Sequence, residues 1–205
     1  MTDLPTTEPS ARIAAQMAFL TEADRLKSVL RASKLADGSR RENSGEHSWH
    51  LALYAMTLAD HAPEGVDITR VIRMLILHDL VEIDTGDVPI HSGNGSAHHS
   101  AETMAAEARA ADRIFGLLPQ DQGAAFRALW LEFEAAESPD AVFAKSLDRL
   151  QPVMQNIAGG GGSWVEYSVT WPQLKERVGS KIARGAPALW DWVREKARPW
   201  FPHQD

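Results

Sequence analysis

Apolar residues recur at three- and four-residue intervals along most of the chain, and this spacing predicts α-helices. A first helix starts near Ala11 and carries its apolar positions as far as Leu30. A second runs from about Ser44 to His61. A third begins after Asp67, a good N-cap, and is apolar enough to lie at the centre of a helical bundle.

The second half of the chain continues the helical pattern after a glycine-containing loop at residues 83–97. Further helices are expected at about His98–Leu117, from Pro119 onward, at Pro139–Ile157 and at 172–196, the last one bent near Gly185. Ser138 before Pro139 is a typical helix start, and the four glycines at 159–162 are a flexible stop. No alternation typical of a strand stands out. We predict an all-α fold of about seven helices in one domain, residues 11–200, after a flexible lead-in over residues 1–10.

Composition narrows the class of protein. The 205 residues include no cysteine, which excludes thiol nucleophiles, thiolate zinc sites and disulfides. The net charge of −7 argues against binding duplex nucleic acid, which requires a basic face. No apolar run is long enough to span a membrane, and the polar N-terminus does not resemble a secretory signal. We therefore expect a cytoplasmic protein with a small-molecule substrate.

The candidate chemistry begins with the adjacent pair His78-Asp79 at the end of the third helix. Such a pair offers an imidazole nitrogen and a carboxylate oxygen to one divalent cation. Further ligands are His47, upstream, and Asp148, which lies among apolar neighbours where a carboxylate is costly to bury unless it is paired or metal-bound. Each residue alone has a plainer interpretation, since Asp148 could simply pair with Arg149. It is the combination of these four residues, in this order along the chain, that indicates a metal site.

A histidine, a His-Asp pair and a later aspartate on an all-α core resemble the HD-domain metal phosphohydrolases, and more closely their 5'-deoxynucleotidase-like branch. The resemblance covers roughly residues 18–178, with a metal-binding core at about 40–155. The segments that carry it are 40–49, 78–87, 129–134 and 143–152, followed by Asn156.

The resemblance implies four ligands for one divalent ion (Mn, Co, Fe, Ni, Zn or Mg): His47, His78, Asp79 and Asp148. It implies that Glu82 is the catalytic glutamate and that Asp87 is a second acidic residue near the attacking water or the substrate. Arg31 is the equivalent of the arginine that grips the phosphate, and Lys34 is a further phosphate-binding candidate. The familiar aromatic residue after that arginine is replaced here by Ala32, which leaves the sugar preference open.

The implied reaction is hydrolysis of (deoxy)nucleoside 5'-monophosphates to nucleoside and phosphate by a metal-activated water, in a homodimer. Two alternatives remain open. One is a regulatory module that binds metal and nucleotide without turnover, although Glu82 and Asp87 favour an enzyme. The other is an HD phosphohydrolase for another phosphorylated nucleotide, although the acidic chain offers few clustered basic residues for a triphosphate. We expect His91, His98 and His99 to be surface histidines.

Overall fold

The computed structural model describes residues 9–92 and 100–202. It confirms the all-α class, because the only strands among these residues form one two-stranded hairpin. Residues 1–8 of the predicted lead-in, and also His98 and His99, lie outside the described residues. The first helix already begins at Pro9, inside the predicted lead-in. Within the described ranges, no helix is both long and apolar enough to cross a membrane.

The α-helices in chain order are α1 Pro9–Ala23, α2 Ser44–Thr57, α3 Ile68–Leu77, α4 Glu82–Thr85, α5 Ala101–Phe115, α6 Gln120–Ala135, α7 Pro139–Ala158, α8 Gly162–Glu166, α9 Trp171–Leu174, α10 Ser180–Gly185 and α11 Pro187–Ala197. Short 3-10 turns lie at Asp24–Ser28, Ala59–His61, His78–Val81 and Arg198–Trp200, and a π turn at Lys175–Gly179 joins α9 to α10. The described chain has more helical segments than the predicted seven because α4 and α8 to α10 are short pieces. The buried apolar side chains of α8 to α10 belong to one core cluster, and the partly buried Ile83 of α4 packs against it.

An antiparallel hairpin follows α1, where the sequence pattern predicted helix as far as Leu30. Strand β1, Leu30–Lys34, pairs with β2, Arg41–Asn43, with Leu30 opposite Asn43. The intervening turn contains Gly38 at φ +72°. The prediction was wrong here because three consecutive residues of β1 are buried, so the strand lacks the alternation by which a half-buried strand is recognised.

Helix α2 starts where the sequence predicts, and a capping box fixes its first turn. The Asn43 side chain accepts a hydrogen bond from the Glu46 backbone at 2.9 Å, and the Glu46 side chain accepts one from the Asn43 backbone at 3.1 Å. Because Asn43 also ends β2, hairpin and helix meet at this residue. The orientation of the hairpin on the helix is thereby set locally.

Helix α3 lies at the centre of the core, as its apolar sequence predicts. Asp67 caps it, and Val71, Met74 and Leu75 are fully buried. The chain then tightens into the 3-10 turn His78–Val81 and continues as α4. The predicted loop at 83–97 therefore begins with a helical turn, and His78 and Asp79 lie in a turn whose ends are both fixed by helices.

The four glycines after α7 form a defined turn rather than a loose linker. The residues at 160–162 all have positive φ, a conformation that favours glycine. A Cβ on Gly162 would lie 2.3 Å from Oδ1 of Asn156, so the close approach also requires glycine. The same Oδ1 atom of the Asn156 side chain accepts a hydrogen bond from the Ser163 backbone at 3.0 Å, which connects α7 to α8.

The C-terminal helices pack on α7 and break where the sequence predicts a bend. Helix α10 ends at Gly185, and α11 starts at Pro187, which cannot continue the preceding hydrogen-bond ladder. Upstream, the π turn inserts one extra residue into an otherwise continuous helix. Gly179, at the end of that turn, lets Trp190 approach closely, since a Cβ there would lie 2.4 Å from Cζ2 of Trp190.

We expect Leu75→Ala to lower the free energy of unfolding by about 2–5 kcal/mol, because it removes a fully buried side chain from the centre of α3. Ile76→Ala is the matched control: Ile76 is the next residue on the same helix but is 45% exposed, and its replacement should cost less than about 1 kcal/mol. Urea unfolding followed by circular dichroism measures both. Equal losses would contradict the placement of α3.

Candidate metal centre

The structure brings the four predicted ligand residues together from three parts of the chain. His47 comes from α2, the pair His78-Asp79 from the 3-10 turn, and Asp148 from α7, and all four are buried. One potential ligand atom from each of His47, His78 and Asp79 lies within 4.8 Å of the others. The Oδ1 atom of Asp148 lies 3.1 Å from His47 Nε2 and 3.7 Å from His78 Nε2.

The ring nitrogens are oriented by partners outside this cluster. Nδ1 of His78 donates to the Leu75 carbonyl at 2.8 Å, which leaves Nε2 as the nitrogen that faces the carboxylates. That Nε2 is buried and has no hydrogen-bond partner within the described residues, although Asp79 Oδ1 is 2.9 Å away. A ligating histidine typically has this arrangement, with its second nitrogen bound to a carbonyl or carboxylate.

Gln151 orients His47 in the same way. Its Oε1 accepts from Nδ1 of His47 at 3.1 Å, and its amide nitrogen donates to Glu42 Oε1 at 2.8 Å. Because the amide nitrogen is committed to Glu42, the amide oxygen must face the ring. The lone pair on His47 Nε2 then points at Asp148. Sequence reasoning missed both Glu42 and Gln151, since neither has a spacing that marks an outer partner of a ligand.

The electrostatics of the cluster favour a cation. Burial alone would lower the pKa of His78, but the Asp79 and Asp148 carboxylates outweigh it and raise that pKa to about 10. Burial would raise the pKa of Asp79, yet His78 and Arg31 lower it. The pKa of Asp148 is also lowered, against its burial, by Arg149 and His47. The donor set of imidazole nitrogens and carboxylate oxygens therefore fits a divalent transition metal or Mg²⁺.

Arg31 reaches this cluster from β1. Its Nη1 donates to Asp79 Oδ2 at 2.7 Å and lies 3.8 Å from Oε1 of Glu82. Nη1 is also 3.8 Å from Oδ1 of Asp87. Burial would lower the pKa of Arg31, but the surrounding carboxylates raise it, so the guanidinium stays charged. Its Nε is buried without a hydrogen-bond partner in the described chain, and Oε2 of Glu42 lies 3.9 Å from it.

Glu82 and Asp87 lie beside Arg31, each held by one hydrogen bond. Ser44 Oγ donates to Glu82 Oε2 at 2.5 Å, and the Ala32 backbone donates to Asp87 Oδ2 at 3.1 Å. Burial, reinforced by the Asp79 charge, raises the pKa of Glu82 well above its usual value. Burial also raises the pKa of Asp87. A raised pKa makes a carboxyl group a stronger proton acceptor, which suits it to general acid–base catalysis.

Lys34 is the one predicted site residue that the structure does not bring to this cluster. It lies exposed at the end of β1, opposite Arg41. The cavity that Arg31 lines does not include it. Its assignment to phosphate binding stays a prediction without support from the geometry.

A cavity of about 80 Å³ adjoins Arg31 and is lined by Asp87, His91, Asn156 and aromatic residues from the α8 region, Trp164 and Tyr167. His91 was expected at the surface, and this was wrong. Its side chain is half-buried with Nδ1 shielded from solvent, and burial, together with Arg177 and Arg149, lowers its pKa to about 4. The histidine is therefore neutral. No spacing in the sequence distinguishes it from a surface histidine of the same loop.

A second cleft, of about 450 Å³, lies next to this cavity. We call it the basic cleft, and its charged residues are Lys145, Arg149, Arg177, Lys181 and Arg184 on one side and Glu107 and Glu134 on the other. The sequence suggested few clustered basic residues, and this was wrong, because residues from α7, the π turn and α10 converge only in the fold. Burial and the Glu134 charge raise the pKa of Glu107 to about 7.

Comparison with known proteins agrees with this geometry. A family model for the HD domain matches residues 23–190. A crystal structure from Magnetospirillum magnetotacticum, named as a predicted metal-dependent phosphohydrolase, is 46% identical and superposes with a TM-score of 0.85, covering 92% of this chain and 95% of that one.

Two 5'-deoxynucleotidases are also similar. Human 5'-deoxynucleotidase HDDC2 is 29% identical over 139 residues, which is 67% of this chain. The match spans 64% of the human protein, just under two thirds of its length. The 5'-deoxynucleotidase of Erwinia tasmaniensis is 29% identical over 189 residues, covering 89% of this chain and 91% of that protein.

We expect Gln151→Leu to weaken divalent metal binding by about 10–100-fold, because the His47 ring loses the acceptor that orients it. Gln155→Leu is the matched control. Gln155 lies one turn further along α7 and also donates to Glu42, at 2.7 Å, but no contact joins it to His47. Competition with a chromogenic chelator measures both affinities. Equal weakening in the two variants would show that Glu42, rather than the ring orientation, controls affinity.

We expect Glu107→Gln to raise the melting temperature at about pH 8 and to leave it unchanged at about pH 4. The folded-state pKa of about 7 lies above 4.5, the ordinary pKa of a glutamate. The stability contributed by the proton on Glu107 is therefore complete below about pH 4.5 and is lost as the pH rises through about 7. Glutamine keeps the neutral form at every pH. Glu102→Gln, an exposed glutamate of the same helix, is the control for the loss of one charge. A gain at both pH values would contradict the assignment.

Proposed function

The chain belongs to the HD domain family, and from this premise we propose that it is a divalent-metal-dependent phosphohydrolase that converts nucleoside 5'-monophosphates to nucleoside and phosphate. One observation carries the proposal. The Nε2 atoms of His47 and His78 face buried carboxylates while both Nδ1 atoms are held by outer partners, and the Arg31 guanidinium lies alongside. A metal-binding pocket and a phosphate-binding cation are thus adjacent.

Four residues would hold the ion: His47, His78, Asp79 and Asp148. A divalent cation bound there lowers the pKa of water and offsets the charge of a phosphate group. The outer partners Leu75, Gln151 and Glu42 support this assignment, because they fix which nitrogen of each ring is available. The mixed nitrogen and oxygen donors do not select one metal among Mn, Co, Fe, Ni, Zn and Mg.

Arg31 would bind the phosphate of the substrate. Guanidinium groups bind phosphate oxygens through parallel N–H donors, and Arg31 both lines the cavity and donates to the proposed ligand Asp79. The Ala32 and Ser33 side chains beside it are small and buried, so they offer no ring to the sugar. Aromatic surface in the adjoining cavity comes instead from Trp164 and Tyr167. The residues after Arg31 therefore do not select between ribose and deoxyribose.

Glu82 would accept the proton of the attacking water, and the Ser44 hydroxyl would hold it in position. The water oxygen forms the new bond to phosphorus, the bond from phosphorus to the 5'-oxygen breaks, and that oxygen leaves with a proton. Asp87 lines the cavity and has a raised pKa because it is buried, which suits it to donate that proton or a hydrogen bond to the leaving oxygen. The homodimer and the cytoplasmic location expected from the sequence stay predictions.

We expect Glu82→Gln to retain the metal but to lose about 10²–10⁴-fold in kcat, because the proton acceptor is removed while the ligands remain. Asp79→Ala should lose both metal and turnover. Asp84→Asn is the matched control, since Asp84 lies in the same short helix but pairs with Arg113 at 2.6 Å on the other side. Metal content by mass spectrometry and phosphate release are measured on each variant. Full activity in Glu82→Gln would refute the assigned role.

The experiment that tests the function itself is phosphate release from a panel of 5'-deoxyribo- and ribonucleoside monophosphates. The protein is stripped of metal and reloaded with Mn, Co, Mg or Zn. We expect metal-dependent release that Asp79→Ala abolishes. Binding of metal and nucleotide without release under any of these conditions would instead identify a binding module without turnover.

A further inference from the structure

The basic cleft has no role in the hydrolysis proposed above, yet it concentrates positive charge in a chain whose net charge is −7. Lys145 lies 2.9 Å from Glu134, and Arg149 lies 3.4 Å from Asp148, so both of these cations have carboxylate partners. Lys181 and Arg184 make no ion pair with any residue that the structure describes. These two side chains are also exposed, so the cleft presents uncompensated charge to solvent.

The carboxylates on the facing wall do not cancel this charge. Glu134 is already paired with Lys145. Glu107 has a pKa of about 7, raised chiefly by burial and by Glu134, so it is only partly ionised near neutral pH. An anion that enters the cleft therefore meets a net positive surface on the side of α7 and α10.

The basic cleft is next to the cavity beside Arg31. Ile90 and Arg149 line both spaces. The charge of Arg177, in the cleft, also contributes to the lowered pKa of His91, in the cavity, which places these two side chains near one another. Arg149 thus borders both the space beside Arg31 and the basic cleft.

The size of the cleft suits a small ligand group rather than a bare ion. Its volume of about 450 Å³ is within the range typical of ligand pockets in proteins. Arginine is well matched to phosphate because its N–H groups can bind two oxygens at once. The chemistry that the cleft recognises is therefore that of a phosphate group carried on a small molecule.

We propose that the basic cleft binds a phosphate group in addition to the one that is hydrolysed, with Lys181 and Arg184 as its main contacts. The inference rests on the proposed function, since the hydrolysed phosphate defines the neighbouring position. The second phosphate belongs either to the same substrate, as in a nucleoside 3',5'-bisphosphate, or to a separate small anion. Both sources share one chemistry, and the test separates them.

The test uses the double variant Lys181→Gln/Arg184→Gln in the metal-loaded protein. Its matched control is Arg194→Gln/Lys196→Gln, which removes two exposed cations from α11, outside the cleft. Binding of inorganic pyrophosphate is measured by calorimetry in all three proteins. We expect about a tenfold loss of affinity in the cleft variant, the effect of one or two charge-assisted hydrogen bonds, and less than about twofold in the control.

Kinetics then identify the source of the phosphate. KM is measured for 2'-deoxyadenosine 3',5'-bisphosphate and for 2'-deoxyadenosine 5'-monophosphate. If the substrate carries the second phosphate, the cleft variant raises KM about tenfold for the bisphosphate only. If a separate anion binds, pyrophosphate affinity falls while both KM values stay the same. The proposal is overturned if neither measurement distinguishes the cleft variant from the α11 control. Because calorimetry needs no turnover, it tests the cleft even if the monophosphates are not hydrolysed.

Discussion

Buried negative charge is the constraint on which the rest of this structure depends. Four carboxylates lie within 3.9 Å of the Arg31 side chain: Glu42, Asp79, Glu82 and Asp87. Such a group is costly to bury unless cations and hydrogen bonds offset the charge. Arg31 supplies one cation. Nε2 of His78 faces Asp79, and Nε2 of His47 faces a further buried carboxylate, that of Asp148. A divalent metal would complement this buried negative charge. The groups that offset the charge in the folded protein therefore also form the site where a metal can act.

Three local devices hold these groups in place. The capping box at Asn43 joins the hairpin to α2, which fixes Arg31 relative to His47. The 3-10 turn between α3 and α4 sets the spacing of His78, Asp79 and Glu82. Helix α7 carries Asp148 on one turn and the outer partner Gln151 on the next, so a ligand and the support of another ligand move together. The site thus depends on the packing of α7 against α2 and α3.

Much of this arrangement can be predicted from local patterns in the sequence. Helical periodicity gave the all-α class, and caps such as Ser138-Pro139 located helix starts because capping depends on neighbouring residues. The His-Asp pattern led to a set of residues that the fold does place together. The hairpin escaped prediction because its buried run shows no alternation. Gln151, His91 and the basic cleft were not predicted because their partners lie far away in sequence. A single sequence carries no signal of contacts between distant residues.

The π turn at Lys175–Gly179 has a consequence for how this region can vary. One residue is accommodated there beyond what a regular helix would hold. Deleting one residue from that turn would restore regular winding, and the side chains after it would keep their places around the helix axis. A deletion from a regular helix would instead rotate everything after it by about 100°. The π turn therefore lets the chain carry one more residue while Lys181 and Arg184 still line the same cleft as α7.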